Sequence, residues 1–278
     1  MTARLEPPAL RSNLVPDSTR IREHYLKSLP RDADGRSRLW SAPDGRVVGR
    51  FMACNLSSVF QPVVLLGTGE TFGHEAFVRS FDDAGSDLSP WNLFSHAASD
   101  ESLVELDRLC RTLHVLNYFG HGGPADSLFL NVHGRLMLAV GDDHGSAFGR
   151  VLASLHIPRR AIVIESPPAM ADDLSMLAYV MLNYRYNGYR TAVNLPDTDM
   201  LDALFDHLRP DFVKLDGNHD DTARGLPDAA DRCARFGARL IVTRIDSAAL
   251  AQRAHAAGAP YGQGHALGRP ANLTPVSA

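Results

Sequence analysis

The chain has 278 residues, 45% of them hydrophobic, and a formal net charge of −4, which is enough length for one large domain or for a barrel carrying an extension. Its basic residues are scattered along the sequence, so the clustered basic face that duplex nucleic acid requires is missing. No uncharged apolar run is long enough to span a bilayer, the first ten residues contain no signal core, and the three cysteines, Cys54, Cys110 and Cys233, form no C-x-x-C pair; a cytoplasmic protein with reduced, buried thiols and neither a nucleic-acid nor a membrane partner is expected.

Residues 1–49 read as an N-terminal extension punctuated by Pro7-Pro8, Pro16, Pro30, Asp34-Gly35 and Asp44-Gly45. Within it, residues 18–29 open on a Ser/Thr cap before Ile21, Tyr25 and Leu26, and this spacing predicts the one helix. Strand-like runs follow at 59–66, 71–79, 128–131, 161–165, 189–194, 211–214 and 239–243, with a short one near Gly262. Between them, residues 103–118, 147–155, 174–186, 200–207, 223–236 and 248–257 carry apolar side chains at helical spacing. Strands alternating with helices imply a parallel sheet, and roughly eight such strands imply closure into a TIM-like (β/α) barrel.

Several of these strands end on a polar residue. In a β/α barrel the chemistry sits at the C-terminal ends of the strands, so Asn131, Glu165, Asn194, Lys214 and Thr243 are expected to ring one pocket. Plainer roles are also open: Glu75 could pair with Arg79 in its own strand, and a barrel-interior Lys214 could simply neutralise Glu165. Among the histidines, no pair has the helical spacing of a metal site.

The motifs occur in an order that resembles the EAL domain family, the barrel phosphodiesterases and receptors of the bacterial messenger cyclic di-GMP. Phe60-Gln61-Pro62-Val63-Val64 is similar to the family's opening strand, and Gly73-His74-Glu75-Ala76-Phe77-Val78-Arg79 to its signature, with Phe77 in place of the leucine. Phe129-Leu130-Asn131-Val132, Ile164-Glu165, Asp211-Phe212-Val213-Lys214-Leu215-Asp216 and the run from Gln263 to Pro270 follow in the family's order. The resemblance implies a degenerate EAL domain over residues 50–273. In active relatives two divalent cations and a lysine surround the attacking water. By this likeness Glu75, Asn131 and Glu165 match metal ligands, Lys214 the lysine, Gln263 the late glutamine and Arg79 the arginine that contacts a ligand phosphate, with Gln61 as a further neutral donor.

The chain departs from the pattern at a connected set of places. The paired aspartates fall on Asn194 and Leu195, the late glutamate on Thr243, the second glutamate of that motif on Asp246, and a loop-supporting glutamate on Pro168. Asn194 loses the charge and the bridging capacity of an aspartate, Leu195 cannot ligate, Thr243 offers only a hydroxyl, and Asp246 comes too late to replace it. These changes lead us to expect no catalytic residue, no bound metal and no cofactor. The expected function is that of a catalytically inactive EAL-like protein, acting in cyclic di-GMP-related signalling or regulation through a protein partner. A receptor that binds cyclic di-GMP without hydrolysis and a weak metal-dependent phosphodiesterase are the alternatives; a homodimer stays open, but the loop at 195–199, which by the resemblance couples metal binding to dimer contacts in active relatives, is rewritten here, and this argues against the usual dimer.

Overall fold

The computed structural model describes residues 18–88, 93, 99–120, 127–134 and 145–273. Eight strands close a barrel: β3 (Cys54–Leu65), β4 (Thr71–Phe81), β6 (Leu128–Asn131), β7 (Ile162–Glu165), β8 (Arg190–Leu195), β9 (Phe212–Asp216), β10 (Arg239–Thr243) and β11 (Tyr261–Gly262). The order β3-β11-β10-β9-β8-β7-β6-β4 is completed by a β3–β4 pairing. All neighbours from β4 round to β11 are parallel, and β3 alone runs antiparallel to both of its neighbours. The helices α2 (Asp100–Phe119), α3 (Ser146–Ser154), α4 (Leu174–Tyr186), α5 (Leu201–His207), α6 (Asp220–Arg235) and α7 (Ala248–Ala256) occupy the connections, as the alternation predicts.

Period-two alternation sorts the strand residues between two cores. Outward-facing Val193, Leu195, Val213, Leu215, Leu240 and Val242 pack into the layer shared with the helices. Inward-facing Val63, Phe129, Val163, Ala192, Phe212, Ile241 and Tyr261 fill the barrel as an apolar plug, with Phe72 packed against it. At its base the Arg239 guanidinium lies 4.3 Å from the centre of the Phe212 ring, so even the charged floor is tied to the plug by a cation–π contact.

The described part of the N-terminal extension, residues 18–49, holds more regular structure than its turn-rich composition suggests. Helix α1 (Ser18–Ser28) lies where expected, but β1 (Leu39–Ser41) and β2 (Val47–Phe51) form an antiparallel hairpin that adds to β3. Asp44-Gly45 is its turn, with Gly45 at φ +81°, a conformation glycine reaches without steric cost. Asn117 of α2 fixes β2 by accepting from the Val47 N–H at 2.7 Å and donating to the Val47 carbonyl at 2.9 Å. Neither strand is expected from the sequence, because both are shorter than a periodic run needs. A second two-residue strand, β5 (Asp87–Leu88), pairs with the end of β4.

Both β3 and β4 outrun the barrel. Only His74–Ala76 of β4 pair with β6, while Phe77–Phe81 pair only with β3 and β5. This ribbon, widened by β2 and β1, stands above the rim on the mouth side. Among the described residues no helix is long and apolar enough to cross a membrane.

Candidate functional site

The polar residues singled out in the sequence form one layer, one pleat above the apolar plug. Each lies two positions from a plug residue on its strand: Gln61 beside Val63, Asn131 beside Phe129, Glu165 beside Val163, Asn194 beside Ala192, Lys214 beside Phe212, Thr243 beside Ile241 and Gln263 beside Tyr261. Glu75 joins them from β4, opposite Gln61 and Phe129 in register. Expecting every one of them at a strand terminus is incorrect for Asn194 and Lys214. The strands continue to Leu195 and Asp216, because buried Leu195 and Leu215 extend the pairing outward of the polar layer.

Lys214 is the centre of the layer. Its ammonium donates to Glu75 Oε2 at 2.7 Å and to both oxygens of Glu165 at 2.8 Å. All three side chains are buried. Asn131 Nδ2 donates to Glu75 Oε1 at 2.6 Å, Gln263 Nε2 to Glu75 Oε2 at 2.8 Å, and Asn194 Nδ2 to Glu165 Oε1 at 2.8 Å and to the Ser166 carbonyl at 2.7 Å. Gln61 accepts from Gln263 at 3.3 Å and donates to the Gly268 carbonyl at 3.0 Å. Two carboxylates thus meet one ammonium and a set of amides; the amide of Gln61, expected as a donor for a ligand, and that of Asn131, expected as a metal ligand, are both engaged inside the layer. Ser166 holds Asn194 both through its carbonyl and through its hydroxyl, which accepts from the Asn194 N–H at 3.3 Å; it carries no sequence signal of a site residue.

The other sequence candidates are distributed around this layer. Glu75 pairs with Lys214, and the alternative pairing with Arg79 does not form. Thr243 faces inward but donates to the Leu215 carbonyl at 3.1 Å. Leu195 points the opposite way, into the core beneath the helices. Asp246 stays at the rim, accepting from Asn218 at 3.4 Å and from the His265 N–H at 3.3 Å. Pro168 opens a short 3-10 turn, Pro168–Asp172, after β7. Phe77 is half-buried and Arg79 exposed, each a further same-face step above Glu75 along the ribbon. His74, on the other face of β4, is buried at 3.2 Å from the Tyr118 hydroxyl, and burial lowers its pKa to about 4. A Cβ on Gly264 would overlap the Ile245 backbone, so only glycine lets the chain after Gln263 pass this close to the loop after β10.

One ammonium cannot fully offset two buried carboxylates, and the pair splits accordingly. Burial raises the Glu75 pKa, but Lys214 with Asn131 and Gln263 outweighs it and holds the carboxyl below its ordinary value. At Glu165, burial and then repulsion from Glu75 outweigh Lys214 and Asn194, and the pKa rises to about 7 from an ordinary 4.5. Burial alone would lower the Lys214 pKa; Glu165 and Glu75 more than reverse this.

The sign of the pH dependence follows. Glu165 in the folded state keeps a proton that the unfolded chain releases near 4.5, so its stabilising contribution is complete below about 4.5 and is lost as pH rises through about 7. Glu75 works the other way, its contribution failing as pH falls below the ordinary carboxylate range. Urea denaturation between about pH 5 and pH 8 is expected to show stability falling with pH, and Glu165→Gln to flatten that slope. A slope unchanged by Glu165→Gln would assign it elsewhere.

The sequence model of the EAL domain matches residues 47–270. This chain belongs to the EAL domain family. Its EAL fold is similar to that of FimX from Pseudomonas aeruginosa, whose EAL domain was solved bound to c-di-GMP, at 22% identity and TM-score 0.65, covering 78% of this chain and 91% of that one. It is also similar to the Bacillus subtilis YkuI protein, solved in complex with substrate c-di-GMP and calcium, at 21% identity and TM-score 0.65, covering 79% of this chain and 55% of that one. The EAL enzyme Bd1971, solved in cAMP- and cyclic-di-GMP-bound form, aligns at 14% identity and TM-score 0.63 over 78% of this chain; the chain spans 62% of its length. No curated protein matches the chain.

Proposed function

We propose that this EAL domain protein is catalytically silent and acts in cyclic di-GMP-related signalling or regulation through a protein partner. The observation that carries this reading is the Lys214 ammonium seated on both Glu75 and Glu165. Active members of the family imply two divalent cations, which require several oxygen ligands, carboxylates above all. The residues here do not fit such a pair. The layer contains two carboxylates, both bonded to Lys214, while Asn131 and Asn194 turn amide N–H groups toward them. Leu195 lies outside the layer, Thr243 is bonded to backbone, and among the described residues no group of three His, Cys, Asp or Glu could hold a metal ion. Two cations would add four positive charges to a site already balanced to within about one charge, at a high desolvation cost.

A second reading, a receptor that binds cyclic di-GMP without hydrolysis, is favoured by one specific observation. Arg79 is exposed above the polar layer and makes no hydrogen bond or ion pair among the described residues. A guanidinium can fork two donors onto phosphate oxygens. If this reading holds, Arg79→Ala weakens binding by roughly ten- to a hundredfold, the loss of a charge-assisted hydrogen bond of about 1.5–3 kcal/mol, and chelator leaves binding unchanged.

Calorimetric titration with cyclic di-GMP, with and without Mg²⁺, separates the readings. No binding leaves the partner-only function. Metal-independent binding that requires Arg79 selects the receptor, and metal-dependent turnover overturns both.

A further inference from the structure

A cavity lies away from the polar layer, lined mostly by residues that precede the family match, with Arg50 and Met52 from the start of that match. It measures about 690 Å³ and is formed between α1, the segment leading to β1, and the β2–β3 turn. Its walls carry Lys27, Arg31, Arg36, Arg38 and Arg50, and Trp40 presents its indole there with 37% of the residue exposed.

We propose that this cleft binds a phosphorylated ligand bearing a flat aromatic ring, of the nucleotide class. Against the five cations stand Glu23 and Asp32. Asp32 Oδ1 is already occupied, accepting from the backbone N–H groups of Asp34 at 3.0 Å and Arg36 at 2.7 Å. Lys27 and Arg36 are exposed and have no ion pair among the described residues. Arg38 pairs with Glu105 at 3.1 Å through one contact at the surface, where an ion pair is weak enough for a phosphate to compete, whereas Arg50 is held by both oxygens of Asp83 at 2.7 and 3.2 Å and serves as part of the wall. The volume lies in the usual small-molecule range of roughly 300–1,000 Å³. Guanidinium and ammonium groups for the phosphates, beside one indole face for the ring, give the cleft both halves of a nucleotide's chemistry. No part of this site overlaps the Lys214 layer.

The test is titration of the full chain with ATP, GTP, pyrophosphate and adenosine, followed by calorimetry and tryptophan fluorescence at physiological salt. Saturable binding of ATP or GTP is expected, stronger than that of pyrophosphate or adenosine. Lys27→Ala and Arg36→Ala should each weaken it by about tenfold. Trp40→Leu should weaken the nucleotides toward the affinity of pyrophosphate. Unchanged thermal melts of these surface variants would show that the effects are local. Absence of saturable nucleotide binding, or affinity indifferent to Lys27, Arg36 and Trp40, overturns the proposal. A poly-glutamate peptide that outcompetes ATP also overturns it, in favour of an acidic protein segment.

Discussion

Lys214→Met destabilises the protein by about 3–5 kcal/mol at neutral pH, the usual cost of removing one partner from a buried ion pair. The methionine fills a similar volume, so the loss is electrostatic. Without the ammonium, Glu165, whose pKa is already raised to about 7, takes up a proton, and Glu75 is left as a buried carboxylate with no cation beside it. The remaining donors, Asn131, Gln263 and Asn194, are neutral and cannot replace a full charge. Neutralising all three groups together, as Lys214→Met with Glu75→Gln and Glu165→Gln, should recover most of the stability, since an ion cluster exchanged for neutral groups of like size is often close to neutral overall. Denaturant unfolding of both variants measures this. A loss below about 1 kcal/mol in the single variant would mean that water reaches the carboxylates.

Neither the natural protein nor Asn194→Asp is expected to convert cyclic di-GMP to the linear dinucleotide in Mg²⁺ or Mn²⁺. One restored carboxylate leaves Leu195 facing the helices and Thr243 bonded to the Leu215 carbonyl. Groups that act as a unit in catalysis are strongly non-additive, and their loss costs orders of magnitude in rate. Chromatographic detection of the linear product is the measurement. Turnover by either protein, abolished by Glu75→Ala, would show that one carboxylate pair and a lysine suffice.

Much of this arrangement was legible because barrels tie sequence position to height. The residues Asn131, Glu165, Asn194, Lys214 and Gln263 each sit two positions beyond a plug residue, so alternation alone aligns them. Of their partners, the pairing of Lys214 with Glu165 is an open reading of the sequence and forms, whereas the second bond of Lys214, to Glu75, and the amide contacts were not legible. Which of two carboxylates Lys214 would choose depends on barrel width and on strand stagger, and it reaches both. Strand ends were misplaced at Asn194 and Lys214 because polarity marked the site layer, whereas hydrogen bonding carries the strand beyond it. The β1–β2 hairpin was missed for a different reason. Its stability comes from pairing to β3 and from the Asn117 clamp, both contacts between residues distant in sequence.

The reversed direction of β3 decides where the chain enters the barrel. In an all-parallel barrel the first strand begins at the floor, and whatever precedes it is kept a barrel's height from the ligand end. Here β3 starts beside the end of β4, Asn55 opposite Phe81, so the preceding residues arrive at the rim. The last residue of β2, Phe51, pairs with Cys54, and Arg79 lies opposite Ser57 on the same ribbon. The strands β1 and β2, near the beginning of the described chain, and the wall that carries Arg79 are therefore parts of one short, continuous set of paired strands at the opening of the barrel.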